Sequence, residues 1–153
     1  MIKQYLDAVR KPGQTVNPLF NLLGVVVERI DDGEAVLRLP PHEGHVQGAG
    51  AVAGGVLATL GDEAMAHAVL SALPPGKITA TAELGAHYLH PARPGATLVA
   101  EATLLRRGGR VIFAQADIRD EAGVHLARIS GTFVVSDDPR TTPDRVERDA
   151  RFD

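Results

Sequence analysis

Apolar residues recur along this chain in two different rhythms, helical near its start and middle, strand-like elsewhere. Ile2, Leu6 and Val9 have helical spacing, which Lys11-Pro12-Gly13 ends. Pro18-Leu19-Phe20-Asn21-Leu22-Leu23 reads as one short helical turn stopped by Gly24. The β-branched run Val25-Val26-Val27-Glu28-Arg29-Ile30 predicts a strand, and Ala35-Val36-Leu37-Arg38-Leu39 its return. Asp31-Asp32-Gly33-Glu34 between them predicts a hairpin turn, because Asp and Gly tolerate positive φ. A polar, glycine-bearing stretch from His42 to Ala53 then feeds residues 54–72, which are apolar on nearly every face and predict a helix. Pro74-Pro75-Gly76 stops it. Four strand-like runs follow, 78–89, 96–105, 110–119 and 124–135, joined by short turns. Short joins favour antiparallel neighbours, since a parallel pair needs a long crossover.

The order is therefore a strand hairpin, one buried helix and four antiparallel strands, an α+β arrangement. A helix that is hydrophobic all round must be covered all round. A curved antiparallel sheet wrapped around it covers one side, and a second copy of the chain is the economical cover for the other. Residues 1–17 form an N-terminal helical segment, 18–136 the domain, and 137–153 a charged tail expected to be poorly ordered.

Composition narrows the function classes. A chain of 153 residues suits one domain with one core. A net charge of −3 offers no general attraction to nucleic acid or anionic membrane. The absence of cysteine removes disulfides, thiolate nucleophiles and cysteine metal sites. The N-terminus has no signal-peptide core. Val52 to Ala72 has the apolar content of a membrane span, but Asp62 and Glu63 sit at its centre, so a soluble, cytoplasmic protein is expected.

Those two acids are the sharpest chemical signal. A carboxylate is costly to bury without a partner. Adjacent helical residues point about 100° apart, so Asp62 and Glu63 cannot both face one pocket. Asp62 is flanked by Ala58 and Ala66, which leave a hollow beside it, and is the catalytic candidate. Glu63 stands four residues before His67 and suits an intrahelical pair. At the helix start, Gly54 and Gly55 let a ligand oxygen approach amides that have no partner within the helix. Such a place can stabilise an oxyanion. Gly54 and Asp62 are eight residues apart, which at the helical rise is about 12 Å. One carbonyl cannot touch both within one chain, so joint action requires two chains meeting across a two-fold axis.

The run Ala53-Gly54-Gly55 followed by Asp62 resembles the His-Gly-Gly, six residues, acid pattern of hotdog-fold acyl-CoA thioesterases of the PaaI-like, phenylacetate-degradation type, related to 4-hydroxybenzoyl-CoA thioesterases. The resemblance covers roughly residues 18–136. It implies a hotdog fold, a homodimer or homotetramer, an acyl-CoA substrate and no cofactor. It implies Asp62 as nucleophile or general base, with the Gly54 N–H polarising the thioester carbonyl. Gln47 falls where the family carries an Asn or Gln that contacts the thioester or orients water. Thr81 falls where some members place a Ser or Thr near the attacking water. Ala53 departs from the pattern by replacing the frequent histidine. A non-catalytic acyl-CoA-binding sensor or carrier on the same fold is the alternative that this departure keeps open.

Other signals are weaker. Gly48-x-Gly50-x-x-x-Gly54 has the look of a dinucleotide loop but lacks the preceding strand and parallel sheet that loop requires. His42 and His45 lack an evident third metal ligand, and His125 an evident partner. Arg106, Arg107 and Arg110 cluster at one hairpin and are candidates for the CoA phosphates, as Arg93 is in another turn. Gly55, Ala58, Met65 and Ala66 are candidates to line the acyl pocket.

Overall fold

A computed structural model describes residues 1–141. Two short helices, α1 (Ile2–Val9) and α2 (Pro18–Leu23), precede a hairpin of β1 (Val26–Asp31) and β2 (Glu34–Leu39). A single 3-10 turn (Glu43–His45) leads to α3 (Gly54–Ala72), then β3 (Lys77–Tyr88), β4 (Leu98–Arg107), β5 (Val111–Asp120) and β6 (His125–Asp137). The six strands form one antiparallel sheet in the order β1-β2-β4-β5-β6-β3, and α3 packs against it. The architecture is the one the resemblance implies.

Local chemistry accounts for the boundaries. Asn17 caps α2 by accepting from the Phe20 amide at 3.1 Å, Pro18 opens the helix, and Gly24 closes it in the left-handed region. Asp32 and Gly33, with φ of 33° and 88°, make the two-residue turn between paired Asp31 and Glu34.

One connection departs from the neighbour rule. The turn after β3 is short, yet β3 pairs with β6 while β4 pairs with β2 and β5. The chain instead crosses at the N-terminal end of α3, where Ala92 is buried and its carbonyl accepts from the Val52 amide at 3.0 Å. Segment length alone cannot tell a hairpin from a crossing that a buried residue anchors. The consequence is that β3 lies at a sheet edge, twelve residues long and exposed from Ala80 to Leu84.

The core lies between α3 and the sheet. Leu57, Leu60, Ala64, Met65, Ala68 and Val69 meet Leu37, Ala100, Ala114, Ile118, Ile129 and Phe133 in one buried cluster. Small residues set the separation. A Cβ on Gly61 would lie 2.4 Å from Cγ1 of Ile129, and one on Gly131 would lie 3.1 Å from Cε of Met65. The helix backbone therefore sits directly on β6.

The other side of α3 is covered in part by the same chain rather than left wholly to a second copy. The rings of Tyr5 and Phe20 stack around His67 at 5.7 and 4.9 Å. What stays uncovered is a narrower stripe, Gly55, Thr59, Asp62 and Ala66, exposed or half-buried.

The tail also begins later than expected. Strand β6 runs to Asp137, and Asp138 is buried with its carboxylate gripped by Arg140 at 2.8 and 2.9 Å. The Asp138 amide bonds the Gly76 carbonyl at 2.9 Å, which continues the β3–β6 pairing past the strand end. Residues 142–153 lie outside the described residues, and with them the rest of the expected tail. No helix among the described residues is long and apolar enough to cross a membrane.

Gly61→Ala tests the helix–sheet contact by its sign. Alanine is the better helix former by about 1 kcal/mol, so a loosely packed site would gain stability. Against Ile129 the substitution should instead cost about 1–3 kcal/mol, read as a lower urea midpoint.

Candidate active site

The loop before α3 is tied down from several directions. Val46 and Val52 form an isolated bridge, and the Gln47 amide bonds the Ala51 carbonyl at 2.9 Å. The Ala53 amide bonds the His45 carbonyl at 2.8 Å, and the buried His45 ring donates through Nε2 to the Leu23 carbonyl at 2.9 Å. His45 is thus an anchor for the loop, and His42 accepts from the Gly44 amide through Nδ1 at 2.9 Å. Among the described residues no group of three or more His, Cys, Asp or Glu could hold a metal.

This anchoring fixes the start of α3. The Ala53 carbonyl accepts from Val56 at 3.0 Å and from Leu57 at 3.4 Å. Among the described residues the Gly54 and Gly55 amides donate to no protein acceptor, as expected for a helix's first turn. The two glycines differ in their surroundings. A Cβ on Gly54 would meet the Tyr88 ring at 3.1–3.3 Å, whereas nothing lies within 4 Å of one on Gly55. A side chain at 54 would press on the Tyr88 ring, whereas the chain leaves open space at 55. Beside Gly54 lies an open cavity of about 350 Å³ lined by Val52, Gly54, Leu57, Tyr88, Pro91 and Ala92, among others.

The second half of the site is on the bare stripe. Thr81 on β3 donates its hydroxyl to Oδ1 of Asp62 at 2.8 Å. Oδ2 of Asp62 takes no hydrogen bond among the described residues. Thr81 reaches the helix because it pairs with the inward-facing Phe133, just before a bulge that shifts the register between Thr81 and Glu83. Ala58 and Ala66 flank Asp62 on the helix and are half-buried, leaving space on both sides of it. Met65 does not share that space. It is fully buried, because it is turned about 60° around α3 from Asp62 toward the sheet, where its Cε packs at Gly131 of β6.

Glu63 occupies a separate environment. Its pairing with His67 runs mainly through the backbone. Nδ1 of His67 donates to the Glu63 carbonyl at 2.7 Å, while the carboxylate stands 3.7 Å away. With Nδ1 carrying the proton, Nε2 accepts from the Tyr5 hydroxyl at 2.8 Å, and Asn17 Nδ2 donates to that hydroxyl at 3.0 Å. Burial lowers the pKa of His67, opposed by its backbone bond, and keeps the ring neutral. Burial raises the pKa of Glu63, the Asp62 charge adds to this, and a hydrogen bond from Asn17 opposes it. Burial likewise raises the pKa of Tyr5.

The remaining candidates are dispersed. Gln47 is exposed, and its side-chain oxygen accepts from the Ala49 amide in its own loop, so no bond joins it to Asp62 within the chain. Arg107 donates to the Ala72 carbonyl and lies 3.7 Å from Asp32, which places it at the C-terminal end of α3. Arg106 and Arg110 are exposed at the same hairpin. The 19-residue helix separates them from Gly54 by about 27 Å. His125 has a partner after all: its Nε2 stands 2.9 Å from Asp117, which Arg128 grips with two further bonds. The pairing is made across β5 and β6, between residues eight apart in the chain, so no local pattern announces it.

Comparison with known proteins agrees with this fold. The thioesterase superfamily model matches residues 49–127, from the glycine loop into β6 and a little over half the chain. A protein of Halobacterium salinarum named as an esterase is 41% identical over 128 residues, 76% of this chain and 83% of that protein. A thioesterase from Haemophilus influenzae superposes with a TM-score of 0.74 at 25% identity, over 79% of this chain and 84% of that one. A variant of the phenylacetic acid degradation protein PaaI from Thermus thermophilus gives 0.71 at 26% identity, over 77% and 98%. The chain belongs to the thioesterase superfamily, a family of hydrolases, and has its hotdog fold.

The buried His67 makes stability pH-dependent with a definite sign. Its folded pKa lies below the unfolded 6.5, so its contribution is present above pH 6.5 and lost as the unfolded chain protonates below it. Glu63 acts in the opposite direction, but is common to a comparison of the wild type with His67→Gln. The stability advantage of the wild type over that variant should shrink below pH 6.5 by up to about 1.4 kcal/mol per pH unit, measured by urea unfolding. An advantage independent of pH would mean that His67 is not held neutral.

Proposed function

We propose that the protein hydrolyses acyl-CoA thioesters at a site shared by two copies of the chain. The observation that carries this reading is Asp62 on the uncovered stripe of α3, with one carboxylate oxygen held by Thr81 and the other left open. A carboxylate that served only the fold would be expected to have both oxygens bound or to lie in full solvent.

Separation within one chain favours a shared site. The Gly54 and Gly55 amides and the Asp62 carboxylate are about 12 Å apart on the same helix, too far to act on one carbonyl. The open edge of β3 and the bare stripe of α3 adjoin each other through Asp62 and Thr81, and a two-fold partner seated there covers both. The glycine amides of one helix then approach the Asp62 of the other. A homodimer is the minimal assembly, and a homotetramer of two such pairs is compatible with it.

The chemistry asks little of the site. A thiolate leaves more readily than an amine or alkoxide, a thiol pKa being about 8.5. Asp62 attacks the carbonyl carbon itself, or removes a proton from water that does so. The Gly54 amide, with Gly55 beside it, stabilises the oxygen as it gains negative charge. The C–S bond then breaks, one water is consumed, and free acid and CoA thiol are released. Thr81 orients Asp62, and Gln47 of the loop assists at the thioester. Ala58 and Ala66 leave room for the acyl chain. Arg106, Arg107 and Arg110 meet the phosphates at the far end of an extended CoA, where their distance from Gly54 is an advantage.

Asp62→Asn, which keeps an acceptor for Thr81, should lower turnover of an acyl-CoA panel about 100-fold or more with little change in thermal midpoint. Retention of full activity would remove Asp62 from the mechanism. Thioester binding without thiol release by the wild type would mark a sensor or carrier instead. Gly55→Ala should depress kcat/KM without lowering stability, because no atom of the chain contests that space. Mixing the Asp62→Asn chain with a chain carrying a bulky residue at Gly54 should restore one competent site per heterodimer. No recovery would count against a shared site.

A further inference from the structure

The exposed Tyr88 stands on the end of β3 and crosses to the start of α3. Its hydroxyl donates to the Gly54 carbonyl at 2.7 Å, and its ring lies against Gly54, within 3.1–3.3 Å of where a Cβ would sit. We infer that Tyr88 is a positioning residue for the oxyanion site, orienting and polarising the Gly54–Gly55 peptide, whose N–H has no protein acceptor among the described residues. The inference rests on the proposed hydrolysis and adds a residue to it.

The Gly54 carbonyl and the Gly55 N–H belong to the same peptide plane. A hydrogen bond accepted at the carbonyl fixes that plane and draws electron density toward the oxygen. The amide on its other side becomes a better donor, since linked hydrogen bonds strengthen one another. The neighbouring plane, Ala53 carbonyl to Gly54 N–H, has its own restraint in the amides of Val56 and Leu57. Two glycines in succession bring no side-chain restraint of their own to the first turn of α3, and the Tyr88 hydroxyl adds one at the Gly54 carbonyl. An oxyanion site works only when its donors are already aimed before charge develops.

The fold does not need this phenol. Tyr88 is 53% exposed, and its hydroxyl bonds a helical carbonyl rather than the core. Its ring and hydroxyl border the cavity beside Gly54 and Leu57, where the proposed thioester carbonyl lies. Loss of the hydroxyl alone should therefore be felt in the chemical step and hardly at all in folding.

The test compares the full-length wild type with Tyr88→Phe, which keeps the ring and removes the hydroxyl. The first measurement is the amide resonance of Gly55 by two-dimensional NMR, because its nitrogen shift reports the hydrogen bond at the preceding carbonyl. The second is steady-state thioester hydrolysis. The expected result is a shifted Gly55 resonance, a kcat lower by about 5- to 20-fold, a KM within about twofold, and an unchanged thermal midpoint. An unmoved Gly55 resonance overturns the inference whatever the activity. A moved resonance with unchanged kcat, or a loss confined to KM, overturns the positioning role while leaving the proposed hydrolysis intact. A wild type inert toward every thioester, by contrast, sinks the proposed hydrolysis and this role with it.

Discussion

Close contact between a helix and a sheet governs this molecule. Gly61 lays the α3 backbone on Ile129, and Gly131 admits Met65 from the other direction. Any side chain at either position would hold the layers apart. Asp62 follows Gly61 immediately, so the depth at which α3 settles also sets where that carboxylate emerges. At the observed depth it meets Thr81 at 2.8 Å. Packing of the core and placement of the acid are one geometric fact.

The two ends of the proposed site are held by different means. The glycine amides are fixed by a chain of backbone anchors running from Leu23 through His45 to Ala53, and by the ring of Tyr88. Asp62 is fixed by a hydroxyl from the edge strand. Glu63, next in sequence, is drawn instead toward Asn17, Tyr5 and His67, where burial favours its neutral form. Two adjacent carboxyl groups thus acquire different properties, because a turn of about 100° places one on the bare stripe and the other beneath the N-terminal segment.

The N-terminal segment shows how far a sequence pattern reaches. Its helices are legible from Ile2, Leu6 and Val9 and from the Asn17-Pro18 start of α2. Their destination is not, because Tyr5 and Asn17 find His67 and Glu63 across tens of residues. The same holds for Tyr88, an aromatic in a strand until the crossing of β3 over the helix end brings it to Gly54. Met65 makes the converse point: its side chain suits a pocket, but it faces the sheet.

By itself the sequence determined what local periodicity and turn chemistry control. These are the α3 bounds at Gly54 and Ala72, the Asp32-Gly33 turn, the strand count, and the glycine–acid spacing on which the resemblance rests. Such features depend on residues within one or two turns of each other. Tertiary structure decided the strand order, the edge position of β3, the bulge that aims Thr81 and the partners of Asp62, Glu63 and Gly54. Those depend on which residues meet after long loops close, and on a helix–sheet separation that two buried glycines and their neighbours settle together.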